Sequence, residues 1–336
     1  MGAAILLNSL SMRLILMGTG AFAVPAFRAL AASTHSLVAL VTRPVPAPRG
    51  RHKGPVNPVR EAFASLDVPW LDPADINAPS VQQQLAQFQP DLFVVCDYGQ
   101  ILSRETLRIA RLGGVNLHGS ILPKYRGAAP VNWAIWNGEP ETGVTVIHMT
   151  PKLDGGPCLA VARTPISPED DAPALEQRLS QLGVEPVCAA IAQLAQWDGQ
   201  SPLGCMQDQG QATRAPRLKK TDGAVDWTQS AERIFNQTRA LKPWPGTYTN
   251  WLRGATPMLL LLEKVSVVAE PLLACQARPG EVIGVTQQSI TVATGAGGLC
   301  IEQLKPAGKR VLAAAEFLRG YPVQPGDRFG NVEVAP

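Results

Sequence analysis

The chain has 336 residues, with a hydrophobic fraction of 46%, a charged fraction of 17% and a formal net charge of +3. A chain of this length usually forms two domains. No apolar run approaches the ~20 residues that a membrane-spanning helix needs, which excludes a helical membrane protein. The small net charge excludes nothing by itself, so the distribution of the charged residues along the chain is more informative.

The N-terminus and the cysteines bear on the cellular compartment. Residues 1–11 are apolar but contain no Lys or Arg, so they make a poor secretory signal and are treated as an N-terminal extension. The six cysteines are scattered and include no C-x-x-C pair, which argues against a zinc site and against a disulfide framework. We therefore expect a cytoplasmic protein.

The first predicted element is a strand that runs into a glycine-rich turn. Residues 18–23, Gly-Thr-Gly-Ala-Phe-Ala, fit G-x-G-x-x-A, the relaxed fingerprint of a dinucleotide-binding site. An NAD site would need an acidic residue at the end of the second strand, where the sequence has Thr42 and Arg43. NAD is therefore disfavoured, whereas NADP, with Arg43 on its additional phosphate, stays open.

A long proline-rich loop, residues 43–58, follows the second strand, although such connections usually span only a few residues. Its basic side chains have no acidic neighbour within the loop. Clusters of this kind supply affinity for nucleic-acid phosphates regardless of base sequence. We expect four residues of the loop to bind nucleic acid, with a solvated surface loop as the alternative: Arg43, Arg49, Arg51 and Lys53.

The most informative stretch is residues 113–130, which begins as a short buried strand. Because side chains alternate along a strand, Asn116 and His118 lie on the same face. A buried polar group without a partner costs about 1–3 kcal/mol, so these two side chains are expected to line a site. The strand turns at Gly119 and Ser120, and open α/β sheets bind ligands at the carboxyl ends of their strands.

A carboxylate is expected to join these two side chains. Residues 143–149 alternate as a strand, and the loop that follows places Asp154 directly before two glycines. Glycines let the backbone turn tightly, so the carboxylate can be directed back toward the end of the neighbouring strand. We therefore predict Asn116, His118 and Asp154 as the catalytic residues.

The organisation changes after residue 198. Residues 199–221 are polar and end in a basic run, so we expect a linker whose Arg217, Lys219 and Lys220 contact phosphates or only solvent. Beyond a helix, five short strands separated by turns favour a small OB-like barrel, which is a frequent nucleic-acid platform. The expected catalytic domain therefore spans 12–198, and the second domain spans 222–336.

These motifs resemble the pattern of the folate-dependent formyltransferases. The similarity is carried by Asn116-x-His118-x-Ser120-x-Leu122-Pro123-x-x-Arg126-Gly127-x-x-Pro130 and by Leu153-Asp154-x-Gly156, and it continues through Asp226-Trp227, Pro243-Trp244-Pro245 and residues 303–309. Three positions depart from the family pattern: Asp97, Gly155 and Pro157.

The resemblance implies an α/β fold with two domains. An N-terminal formyltransferase domain would be built on a Rossmann-like parallel sheet, and a smaller C-terminal OB-like β-barrel domain would bind tRNA. The implied co-substrate is 10-formyltetrahydrofolate, without a metal. It would lie along Ser120, Ile121, Leu122 and Pro123.

Formyl transfer suits the predicted residues, because an amine attacks the formyl carbon and charge develops on its oxygen. Asn116 and His118 can donate to that oxygen, and Asp154 can orient His118 or accept a proton. Within the family, the basic segments point to the α-amine of methionine on initiator tRNA as the acceptor, and we expect a monomer.

Three alternatives remain open. A formyltransferase that acts on an amino sugar nucleotide would share the three residues and the carrier, but would have no use for the basic loop. A 10-formyltetrahydrofolate hydrolase would replace the amine by water. A non-catalytic nucleic-acid-binding protein would leave Asn116 and His118 unexplained.

Overall fold

The computed structural model describes residues 11–45, 56–253, 256–268 and 277–330. The predicted nucleic-acid contacts at Arg49, Arg51 and Lys53 lie outside the described residues, as does the N-terminal extension except for its last residue. In the described ranges, no helix is both long and apolar enough to cross a membrane.

The chain divides into two compact units, each of which takes up more than one segment. The first consists of Met1–Pro130, Glu141–Pro165 and Leu175–Pro216. The second consists of Val131–Pro140, Ile166–Ala174 and Arg217–Pro336.

Among the described residues, the first unit contains nine strands: β1 (Arg13–Met17), β2 (Ser36–Val41), β3 (Trp70–Leu71), β4 (Leu92–Val95), β5 (Gly114–His118), β6 (Arg126–Gly127), β7 (Glu141–His148), β8 (Cys158–Pro165) and β9 (Arg214–Ala215). Seven of them form one sheet in the order β3-β2-β1-β4-β5-β7-β8, and β6 pairs separately with β9. The site-bearing strand β5 therefore lies inside the large sheet, with partners on both sides.

The large sheet is mixed. Strands β3, β2, β1, β4 and β5 are parallel, whereas β7 pairs antiparallel with β5, and β8 pairs antiparallel with β7. This confirms the Rossmann-like parallel sheet and adds an antiparallel edge. The alternating pattern of residues 143–149 predicted the first of these two edge strands, but such a pattern carries no information on strand direction.

The described residues contain nine α-helices: α1 (Val24–Ala31), α2 (Pro58–Ala62), α3 (Pro79–Gln87), α4 (Arg104–Leu107), α5 (Pro130–Trp136), α6 (Ala172–Leu182), α7 (Val184–Ala195), α8 (Ala231–Ala240) and α9 (Ala314–Gly320). Pro186 is the third residue of α7. Proline is tolerated in the first turn, because the N–H that it lacks has no partner within the helix there.

The second unit contains a closed antiparallel sheet built from β10 (Thr247–Trp251), β11 (Met258–Val268), β12 (Val282–Val285), β13 (Ile290–Ala293), β14 (Gly298–Pro306), β15 (Leu312–Ala313) and β16 (Phe329–Gly330). The order is β12-β13-β14-β11-β10-β16, and β15 pairs with β14. The two end strands also meet, because the Phe329 N–H donates to the Gly280 carbonyl at 2.7 Å and the Val282 N–H donates to the Asp327 carbonyl at 2.8 Å. This closure gives the predicted OB-like barrel and pairs the two edges of the sheet with each other.

Aromatic side chains fill the barrel. Phe317 of α9 is fully buried, stacks on Tyr321 with 4.6 Å between ring centroids, and meets Trp251 edge-on at 6.2 Å. Trp227 is also buried, and its indole N–H donates to the Thr249 hydroxyl at 3.0 Å. The Asp226-Trp227 motif is therefore explained by packing and by one satisfied buried donor.

Candidate active site

Asn116 and His118 lie on one face of β5, as the period of a strand requires. His118 is buried and Asn116 is half-buried. Asn116 pairs with Val95 of the parallel strand β4 and with Ile147 of the antiparallel strand β7. The backbone on both sides thus fixes the direction in which the amide and the imidazole project.

The Asp154 carboxylate meets both side chains. Its Oδ1 accepts a hydrogen bond from the Asn116 amide Nδ2 at 3.3 Å, and its Oδ2 lies 3.7 Å from His118 Nδ1. Oδ2 also accepts from the Gly127 backbone N–H at 2.9 Å. Asp154 is only 8% exposed and has a φ of +48°, a conformation that aspartate adopts more readily than most residues. The three side chains predicted as catalytic therefore converge on one point.

The second nitrogen of His118 defines where the ring carries a proton. Nε2 lies 2.9 Å from the Tyr125 carbonyl oxygen. A carbonyl can only accept, so Nε2 carries the hydrogen. The other nitrogen, Nδ1, faces the Asp154 carboxylate, and a proton there would be stabilised by that charge.

The segment predicted to carry the folate is tied to β7 through Thr145, a fully buried residue that the sequence analysis did not single out. The Thr145 hydroxyl donates to the Ser120 carbonyl at 2.7 Å and accepts from the Leu122 N–H at 3.1 Å. Ser120 and Leu122 are buried, whereas Ile121 and Pro123 are half-buried. The partly exposed side of this segment is thus formed by Ile121 and Pro123.

Gln207 is the second residue that the sequence analysis missed. It belongs to the stretch expected to be a linker, yet it is buried. Its Nε2 donates to the carbonyls of Asp154 at 2.8 Å and Gly156 at 2.7 Å, and its Oε1 accepts from Arg126 Nε at 3.1 Å. Gln207 therefore connects the loop of Asp154 to the loop that follows β5. A polar stretch without periodicity gave no signal of this.

Asp97 closes the glycine-rich turn. The Thr19 N–H donates to the Asp97 carbonyl at 3.1 Å, and the Gly20 N–H donates to the Asp97 carboxylate. A Cβ on Gly20 would lie 1.7 Å from Asp97 Oδ2. A carboxylate therefore occupies the place where a dinucleotide phosphate would approach the turn, which argues against the NADP alternative.

The basic residues predicted to bind nucleic acid are exposed where the structure describes them. Arg43 lies two residues after the end of β2. Its side chain lies beside Gly99, since a Cβ on that glycine would be 3.3 Å from it. Arg217, Lys219 and Lys220 are exposed at the start of the last segment of the second unit. Within the described ranges, no group of three His, Cys, Asp or Glu residues could hold a metal ion.

The loop between β7 and β8, residues 149–157, is called the Asp154 loop. It has no space for a side chain at Gly156. A Cβ there would lie 1.8 Å from the His148 carbonyl oxygen, which is backbone and cannot move aside. We expect Gly156→Ala to displace the loop and to lower the melting temperature by several degrees. The matched control is Gly155→Ala, whose Cβ would meet only the flexible Lys152 side chain at 2.8 Å. Equal melting temperatures for the two variants would contradict this assignment.

Asp97 should make stability depend on pH. Although Asp97 as a residue is exposed, desolvation of its carboxylate, with the Glu176 charge as the second cause, raises its pKa to about 6, against an ordinary value of 3.8. Between these values the folded state binds more protons than the unfolded state, so stability falls as pH rises through this window. We expect Asp97→Asn to be more stable than the wild type above about pH 7 and to lose this advantage near pH 4, as measured by urea unfolding.

The control for this experiment is Asp91→Asn. Desolvation acts on Asp91 as well, but hydrogen bonds from the Arg13 N–H and the Arg111 guanidinium lower its pKa overall. Removing that carboxylate should therefore destabilise the protein at neutral pH. A gain for both variants at neutral pH would contradict the assignment to Asp97.

Comparison with known proteins identifies the family. The family model described as "Formyl transferase" matches residues 12–191, and the model "Formyl transferase, C-terminal domain" matches residues 217–322. The chain is 41% identical over 326 residues to the methionyl-tRNA formyltransferase of Rhodopirellula baltica. This alignment covers 95% of this chain and 97% of the relative. It is 40% identical to that of Geobacter sulfurreducens, with the same coverage.

Solved structures share the fold at lower identity. The N-formyltransferase of Helicobacter canadensis, solved with folinic acid and dTDP-3-aminofucose, superimposes with a TM-score of 0.62 at 14% identity, over 86% of this chain and 98% of that one. HypX from Aquifex aeolicus, in complex with tetrahydrofolic acid, gives a TM-score of 0.58 at 18% identity, over 96% of this chain and 51% of that one. With both family models matched and full-length relatives at about 40% identity, this chain belongs to the formyltransferase family.

Proposed function

We propose that this chain transfers the formyl group of 10-formyltetrahydrofolate to the α-amine of methionine on initiator tRNA. The observation that carries the proposal is the convergence of Asn116, His118 and Asp154 at the carboxyl end of β5. The full-length relatives named methionyl-tRNA formyltransferase support this choice of acceptor over other amines.

The donors at the site fit a formyl group bound through nitrogen. That group supplies a carbonyl carbon for attack and an oxygen on which charge develops. The Asn116 amide has two hydrogens, one of which is given to Asp154, so the other can be donated to the formyl oxygen. One well-placed donor of this kind lowers the barrier by about 2.7–4 kcal/mol.

His118 and Asp154 handle the proton. As the amine nitrogen bonds to the formyl carbon, it must lose a proton, and the folate nitrogen must gain one as its bond to the formyl carbon breaks. His118 Nδ1 accepts the proton, because Nε2 already carries one for Tyr125, and Asp154 stabilises the resulting imidazolium from 3.7 Å. His118 then returns the proton to the leaving nitrogen. Such acid–base assistance contributes about 10²–10⁴-fold to the rate.

We assign folate binding to the segment Ser120, Ile121, Leu122 and Pro123. The Thr145 hydroxyl fixes this segment against β7, so its shape is set before ligand binds. Because Ile121 and Pro123 are only half-buried, they offer an apolar surface to a flat ring. No metal enters this assignment, since the donors named above suffice for the chemistry.

The acceptor tRNA is assigned to the basic residues of both units. In the first unit these are Arg43, Arg49, Arg51 and Lys53, and in the second they are Arg217, Lys219 and Lys220. The barrel of the second unit adds a fold that often binds nucleic acid. We propose 12–198 as the catalytic domain and 222–336 as the tRNA-binding domain, joined by 199–221, in a monomer that acts in the cytoplasm.

The test is to supply the protein with methionine-charged initiator tRNA and 10-formyltetrahydrofolate and to measure formyl-methionine by mass spectrometry. We expect formylation of the tRNA-bound amine and no formylation of an amino sugar nucleotide. Release of formate without formyl-methionine would instead identify a hydrolase and overturn the proposal.

The three converging residues should act on turnover. We expect Asn116→Ala and Asp154→Ala each to lower kcat by about 10²–10³-fold, with KM for folate changed less than about threefold. Because the Asp154 carboxylate also accepts from the Gly127 N–H, melting temperatures are measured to separate a loss of turnover from a loss of folding. Gln193→Ala, an exposed amide on α7, is the matched control and should retain wild-type kcat. Wild-type turnover in Asn116→Ala would remove that residue from the mechanism.

Phosphate binding should make tRNA use sensitive to salt. Each neutralised phosphate releases counterions, so kcat/KM for tRNA should fall linearly with salt on logarithmic axes. The double variants Arg51→Ala/Lys53→Ala and Lys219→Ala/Lys220→Ala should each reduce the slope by about one for every phosphate that is no longer neutralised, and leave folate KM unchanged. Arg108→Ala, an exposed arginine that follows α4, is the control. A flat salt response in the wild type would exclude this tRNA assignment.

A further inference from the structure

Two cysteines lie directly opposite each other beside the Asp154 loop. Cys158 begins β8, four residues after Asp154, and Cys205 lies in the stretch that follows α7. They form an isolated antiparallel bridge in which each backbone N–H donates to the other carbonyl at 2.8 Å. The pair is separate from Asn116, His118 and Asp154 and has no part in the proposed transfer.

The Cα separation fits a covalent link, while the Cβ separation requires a small local shift, because opposed residues of an antiparallel pair hold their Cβ atoms about 4.5–5.5 Å apart and a disulfide needs about 3.5–4.5 Å. Opposed residues of a hydrogen-bonded antiparallel pair have Cα atoms about 5.5 Å apart, and disulfides span about 4.4–6.8 Å. Their side chains project from the same face of the pair. Gly204, with a φ of +68°, brings the two strands close, since a Cβ there would lie 2.5 Å from the Cys158 carbonyl oxygen.

The two thiols are close enough to interact electrostatically, and they differ in exposure. Burial and, second, the neighbouring Cys205 raise the pKa of the Cys158 thiol. Cys205 is exposed and Cys158 is half-buried, and both are reduced in this structure. Small disulfides can therefore reach Cys205, and the less exposed Cys158 is the resolving thiol.

We infer that Cys158 and Cys205 form a reversible intramolecular disulfide when a small disulfide such as oxidised glutathione is present. The Cys205 thiolate attacks one sulfur of oxidised glutathione, which forms a mixed disulfide and releases one glutathione thiolate. The Cys158 thiolate then attacks the Cys205 sulfur and releases the second. Two protein thiols are oxidised, one oxidised glutathione is reduced to two glutathiones, and the two thiol protons pass to solvent.

The disulfide would restrict the motion of the Asp154 loop. In the reduced protein this loop is held by hydrogen bonds, among them those from Gln207 to the Asp154 and Gly156 carbonyls. Gln207 is two residues from Cys205, and Gly156 is two residues from Cys158. A disulfide would therefore join the same two segments covalently, and it would also close a ring that contains β8, α6 and α7.

The test is to incubate the reduced full-length protein with oxidised glutathione and to map its disulfides by non-reducing peptide mass spectrometry. We expect the loss of two titratable thiols per chain, one peptide pair joining positions 158 and 205, and full reversal by dithiothreitol. The oxidised protein should melt on the order of 5 °C higher than the reduced protein, because the closed ring restricts the unfolded chain.

Two cysteine-to-serine variants and one control sharpen this result. Cys158→Ser and Cys205→Ser should each abolish the linked peptide and the rise in melting temperature. Cys188→Ser, which removes an exposed cysteine of α7, should retain both. A stable glutathione adduct on Cys205, a disulfide between two chains, or no thiol loss in the wild type would each overturn the inference. Because the readouts do not involve formyl transfer, the result is independent of the proposed function.

Discussion

The Asp154 carboxylate holds three parts of the chain in one arrangement. It accepts from the Asn116 amide on β5 and from the Gly127 N–H in the loop beyond, while it belongs to the loop between β7 and β8. A buried carboxylate without partners is costly, so the folded state strongly favours the geometry in which all of them are present. The same contacts place the imidazole of His118 beside the charge. Structural stability and the proposed chemistry thus depend on one group.

Gln207 extends this arrangement to a part of the chain that is distant in sequence. Its amide gives hydrogens to the carbonyls of Asp154 and Gly156 and accepts from the Arg126 guanidinium, so its donors and its acceptor are all used inside the protein. Fully satisfied buried networks of this kind are rigid, because any change leaves a polar group without a partner. The pairing of β9 with β6 supports the same connection. Residues 205–215 are therefore part of the framework around Asp154, in addition to leading toward the second unit.

The parts of the fold and site that the sequence could predict are those with a local signal. The period of two placed Asn116 and His118 on one face, and the glycines after Asp154 indicated a tight loop. Strand direction, the partners of Gln207 and Thr145, and the closure of the barrel through residues 326–330 depend on contacts between distant segments, which leave no periodic trace.

The glycine-rich turn shows how a familiar pattern can serve a different physical purpose. Gly18 has no space for a side chain, since a Cβ would lie 2.6 Å from the Cys96 carbonyl oxygen, and Gly20 has none because of Asp97. Gly18 is thus required by close packing against backbone, whether or not a phosphate ever binds, whereas a side chain at Gly20 would displace the Asp97 carboxylate. The Thr19 and Gly20 N–H groups already donate to Asp97, so they are not available as hydrogen-bond donors to an anion at this end of β1. Converging polar groups lie instead at the end of β5, which is why the proposed reaction is assigned to that strand rather than to the fingerprint that precedes it.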